Sequence, residues 1–74
     1  MSRRLNIIVE KDDNGFFAFC PELEGCQTQG ESLDEVMENI KEAIELYLET
    51  LSLDDRRALR TKEIITSSYE VRIA

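Results

Sequence analysis

The residues best suited to chemistry sit together in one short stretch. Cys20-Pro-Glu-Leu-Glu-Gly-Cys26 holds both cysteines of the chain, its only proline and one of its three glycines. Thiolates ligate zinc or exchange disulfides, and two of them supply half of a four-cysteine site. Five residues separate this pair, and the chain has no histidine. That excludes imidazole catalysis and mixed cysteine–histidine zinc sites, and a four-cysteine site would need a second copy. A reducing compartment disfavours a disulfide. The reading that remains is two small apolar residues packed at strand ends.

Carboxylates are the other candidates. Paired acids can hold Mg2+ or move protons. Asp12 and Asp13 fall in a turn, where Asp is ordinary. Glu22 and Glu24 flank the turn after Pro21. A metal-dependent nuclease would need several acids converging on one strand edge. Only Glu10, Asp12 and Asp13 lie near the first strand, and two of these are in the turn. There is no glycine-rich phosphate loop and no serine-nucleophile motif. Arg56, Arg57, Arg60 and Lys62 cluster beside Asp54 and Asp55, within ion-pairing reach. No catalytic residue, metal or cofactor is therefore assigned.

The elements that position these groups follow from periodicity. Leu5, Ile7 and Val9 alternate with Asn6, Ile8 and Glu10, which predicts a first strand. Asn14-Gly15 predicts a hairpin, with both residues suited to positive φ, and Phe16 to Cys20 the returning strand. Pro21 ends that strand, and Cys26 to Gln29 reads as a short third one, stopped by Gly30. Ser32 and Glu35 have capping-box spacing. Leu33, Val36, Met37, Ile40, Ala43, Ile44, Tyr47, Leu48 and Leu51 then recur at steps of three and four, predicting a helix of about five turns. Ser52 to Arg60 reads as a short second helix. Tyr69, Val71 and Ile73 alternate with polar residues and predict a last strand.

The order β-β-β-α-α-β describes one α+β domain over residues 1–74: a three-stranded antiparallel sheet, a long amphipathic helix, a short second helix and a fourth strand. The helix must bury its stripe on one sheet face. A right-handed crossover places the fourth strand parallel to the first. On this reading the opposite face exposes Ile8, Phe16, Ala18 and Cys20, and Phe16, Ala18 and Cys20 are the expected self-association residues of a homodimer or larger oligomer.

Charge narrows the partners. Sixteen acidic residues against nine basic ones give −7, which disfavours direct contact with nucleic-acid phosphates. Most of that charge lies on the long helix, whose polar face carries Glu31, Asp34, Glu35, Glu38, Glu42, Glu45 and Glu49 against Lys41 alone. An acidic face can steer a basic partner. Glu22, Glu24, Glu31, Asp34, Glu38, Glu42, Glu45 and Glu49 are the expected contact residues. No apolar run suits a membrane span or a signal h-region, so a cytoplasmic location is expected.

Phe16 to Glu49 resembles the N-terminal domain of HicB-like antitoxins. The resemblance rests on Pro21, Leu23, Gly25, Cys26, Gln29, Gly30, Ser32, Glu35, Asn39, Glu42, Ala43, Ile44 and Leu46. It implies a partial RNase H-like fold without nuclease activity, dimers or larger oligomers, and a protein that masks a small basic ribonuclease toxin. Glu24 stands where many members have proline, and Val36 where many have alanine. Full-length members often carry a C-terminal DNA-binding domain. This chain stops at Ala74, so operator binding is not carried over. A stand-alone member can also be an orphan homo-oligomeric regulatory or assembly module without a toxin.

Overall fold

The computed structural model describes residues 2–74. Three strands, β1 (Ile8–Asp12), β2 (Gly15–Phe19) and β3 (Gln27–Gly30), form one antiparallel sheet in the order β1-β2-β3. Helix α1 (Leu33–Glu49) packs across it, and the short α2 (Leu53–Ala58) follows. This is the α+β architecture that the periodicities predict.

The hairpin differs in one detail. Asp13 and Asn14 connect β1 to β2, and the Asp12 carboxylate accepts from the Asn14 amide at 2.8 Å. Only Gly15 takes a positive φ, at 126°, while Asn14 does not. The Asx turn holds Asn14 on the ordinary side of the backbone map and hands the unusual conformation to glycine.

Register decides which face is inside. Val9 pairs with Ala18, Ile8 with Phe19, and Ala18 with Thr28. Leu5, Ile7, Val9, Phe16, Ala18 and Cys20 therefore belong to the helix-covered side. There, fully buried Ala18 meets Val36 and Ile40, which are also fully buried. The expectation of a free face made by Phe16, Ala18 and Cys20 is overturned. Ile8 sits opposite Phe19, one residue out of phase with Ala18, so the uncovered face carries Ile8, Glu10, Phe17 and Phe19. Strand alternation allowed two assignments. The helix took the face whose small central residue, Ala18, lets α1 approach closely.

That close approach continues at Gly30. A β-carbon there would lie 2.7 Å from the Val36 amide nitrogen, well inside contact distance. Helix α1 starts as predicted: the Ser32 hydroxyl accepts from the Glu35 amide at 3.1 Å. Asn39 on α1 donates to the Gln29 carbonyl at 3.0 Å, fastening helix to β3. Helix α2 has the same cap, Ser52 accepting from the Asp55 amide.

The predicted fourth strand does not form within the chain. Residues 59–74 hold no regular element. Residues 57–62 run alongside the N-terminal segment: Arg3 donates to the carbonyls of Arg57 and Leu59, Thr61 to that of Arg4, and Asn6 to that of Lys62. Beyond Lys62, no hydrogen bond ties the segment back among the described residues. Ile65, Tyr69 and Ile73 are more than four-fifths exposed. The radius of gyration of 14.8 Å exceeds the ~11 Å of a compact chain this long, because this segment projects from the body. Strand-like alternation is present, but a strand needs an edge to pair with.

Candidate functional site

Five of the six acidic residues of α1 converge on a narrow stripe. At 3.6 residues per turn, Asp34, Glu38, Glu42, Glu45 and Glu49 fall within roughly 80° of arc over ~22 Å of helix length. All five are exposed, as are Glu31, just before the cap, and Glu24 in the preceding loop. Val36 and Ile40 lie on the far side, fully buried, so the amphipathic helix turns its acids to solvent.

This arrangement has a stability cost. Asp34–Glu38, Glu38–Glu42 and Glu45–Glu49 are i,i+4 pairs of like charge, each unfavourable by about 0.2–0.5 kcal/mol. The last turn of α1 holds no basic residue, and Glu49 faces the negative end of the helix dipole. A sequence optimised for helix stability alone would place Lys or Arg there.

Beside the stripe lies an apolar notch. Leu46 is 55% exposed and borders a shallow depression with Cys26, Gln27, Ala43, Tyr47 and Thr50, where α1 meets the start of β3. Leu46 falls between the acidic arc and the buried arc. Its legible signal was an apolar residue placed off the buried stripe, and the sequence reading of contacts omitted it. A basic partner drawn to the acids would find an apolar anchor next to them.

Glu22, unlike the exposed acids, is held in a network of hydrogen bonds. Its carboxylate accepts from the Asn6 amide at 3.1 Å, from the Asn6 side chain at 2.6 Å and from the Lys62 amide at 3.2 Å. Lys62 also donates to the Pro21 carbonyl at 3.0 Å. Desolvation pushes the Glu22 carboxyl up, but hydrogen bonds from Asn6 and Lys62 outweigh it and hold the group below its ordinary value. Glu22 ties the N-terminal segment, the Pro21 turn and residue 62 into one junction. It carries the same charge as the exposed acids and does structural work that they do not.

The cysteine loop is a structural plug. The Cys20 amide donates to the Cys26 carbonyl at 3.0 Å, and shorter turns close through Leu23. Leu23, 2% exposed, joins both cysteines in the buried core cluster. Gly25 takes φ 79° with nothing near its missing β-carbon, so conformation alone selects glycine there. Both thiols are free and buried, and burial pushes each up from its ordinary value. They are protonated at neutral pH, the inert form. Among the described residues no group of three or more His, Cys, Asp or Glu is placed to hold a metal ion. No helix among them is long and apolar enough to cross a membrane.

The family model described as "HicB_like antitoxin of bacterial toxin-antitoxin system" matches residues 5–71. A UPF0150 protein of Helicobacter pylori is 47% identical over 70 residues, covering 95% of this chain and 97% of that one. A UPF0150 protein of Archaeoglobus fulgidus is 59% identical over 44 residues, covering 58% of this chain and 64% of that one. An uncharacterised 14.9 kDa protein of Haemophilus phage HP1 is 34% identical over 58 residues, covering 78% of this chain and 44% of that one. No solved structure matches.

Proposed function

Because the chain belongs to the HicB-like antitoxins of bacterial toxin–antitoxin systems, we propose that it is a binding protein, not an enzyme, that neutralises a small basic ribonuclease toxin in the cytoplasm. The acidic stripe of α1 supports this reading most. Five exposed carboxylates in one narrow arc repel one another, and Glu49 also opposes the helix dipole, a cost that an unused surface has no reason to carry. A basic RNA-binding toxin presents cations spaced for phosphates. A row of carboxylates can occupy those cations and so compete with RNA. Glu24, Glu31, Asp34, Glu38, Glu42, Glu45 and Glu49 supply the charge and Leu46 the apolar anchor. The net charge of −7 leaves direct nucleic-acid binding without an electrostatic footing.

The test is co-expression with any small basic protein encoded beside it, followed by calorimetry. The triple variant Glu38→Lys, Glu42→Lys, Glu45→Lys should weaken the complex by about two orders of magnitude and flatten its salt dependence. Unchanged affinity would move the interface off α1. Failure of any basic protein to co-purify would favour the second reading, an orphan homo-oligomeric module of the same fold. The exposed apolar residues Tyr69, Val71 and Ile73 are the observation behind that alternative.

A further inference from the structure

We propose that Tyr69–Ile73 is a fourth strand delivered to a second copy of this chain, where it pairs in parallel with the free edge of β1, and that the second copy returns the same strand. The segment shows what it lacks. Tyr69, Val71 and Ile73 alternate with Glu70 and Arg72, and they are 89%, 60% and 95% exposed. Such a pattern is stable only against a sheet edge, which supplies backbone partners and one apolar face.

The geometry keeps the segment from its own sheet. Lys62 is anchored at Glu22 and Pro21. Residues 63–68, Glu-Ile-Ile-Thr-Ser-Ser, contain no glycine, proline, asparagine or aspartate to reverse the chain. Three consecutive β-branched residues stiffen it. Extended, it carries Tyr69 ~20 Å away, in keeping with a long axis of 53 Å against 26 and 18 Å for the others.

The accepting edge is β1. Strands β1 and β3 are the two edges of the sheet. β3 has four residues and is already engaged by Asn39, whereas β1 offers five residues with an open outer side. Val9 and, just before the strand, Ile7 lie on the core side, only partly buried, and a neighbouring strand would cover them. Charge sets the direction. A parallel strand with Val71 beside Val9 brings Arg72 beside Glu10. The antiparallel alternative in that register brings Glu70 beside Glu10, two like charges. Because each chain has both the arm and the edge, the exchange closes as a two-fold dimer.

No toxin is needed for the test, so its outcome is separate from that of the antitoxin reading. The full chain at about 100 µM should scatter light as a dimer, and Val71→Glu should be monomeric with the helical circular dichroism unchanged. Arg72→Glu should weaken the dimer at least tenfold, and adding Glu10→Arg should restore it. In a mixture of 13C-labelled and unlabelled chains, isotope-filtered spectra should show contacts between the Val71 and Val9 methyls of different chains. A monomeric full chain, a dimeric Val71→Glu, no rescue by Glu10→Arg, or Val71–Val9 contacts confined to one chain would each overturn the exchange.

Discussion

Phe16–Cys20 and Tyr69–Ile73 each hold three large apolar residues in five and meet opposite fates. Phe16 to Cys20 is held between β1 and β3 and buries Ala18 completely. Tyr69 to Ile73 holds an equal share of large apolar residues and leaves all three exposed. The difference is connectivity. β2 is reached by a two-residue turn and finds its partner within a few residues. The last segment is anchored at Lys62 and then led outward by a stretch that cannot turn. Alternation makes a strand possible, and only an available edge makes one.

The largest effect that would sharpen this contrast comes from the same charge placed on each side of it. Ala18→Glu places a carboxylate in the centre of the core and should cost at least ~4 kcal/mol. That is most of the stability of a chain this size, ~4–11 kcal/mol, so urea melts should show no cooperative transition. The same charge at position 71 should leave the protomer folded. A Val71→Glu protein that unfolds as badly would show that the arm is part of the body.

Gly30→Ala comes next. The new β-carbon would sit 2.7 Å from the Val36 nitrogen, and backbone cannot yield as a side chain would. Displacing α1 from β3 should cost about 2–3 kcal/mol by chemical denaturation. A cost under half that would mean the helix rides further from the sheet. Ser32→Ala removes the cap of α1 and should cost about 1 kcal/mol, with Ser32→Asp recovering most of it.

The smallest effect distinguishes Glu22 from the exposed acids. Its carboxyl is held below its ordinary value of 4.5 in the fold. The charged form is therefore favoured by folding, and its contribution is complete above pH 4.5. That contribution is lost as pH falls through the lower folded value. Glu22→Gln should lose about 1 kcal/mol or less at neutral pH, discounted for partial exposure. Its urea midpoint should also drop less steeply than the wild type's on acidification from pH 5. Identical pH profiles would mean that Asn6 and Lys62 do not hold the carboxylate in solution.

Much of the site was legible for local reasons. Ser32 and the step-three, step-four apolar residues define α1, and once its buried arc is known, the acids between must share the opposite arc. The cysteines could be set aside as ligands because no histidine exists to join them. The structural junction at Glu22 was not legible because its partners, Asn6 and Lys62, are 16 and 40 residues away. Leu46 was missed because an exposed apolar residue is ordinary until a notch is seen beside it.

The sequence by itself determined the elements, their order, both helix caps and the acidic face, since each depends on neighbours within a few positions. Tertiary structure decided what depends on distant pairing. The register of Ile8 against Phe19 placed Ala18 and Cys20 inside. The junction at Glu22 fixed the course of the chain after α2. The outward path of residues 63–74 left the last strand without an edge. Periodicity specifies how a segment can be used, and the other half of the contact specifies whether it is.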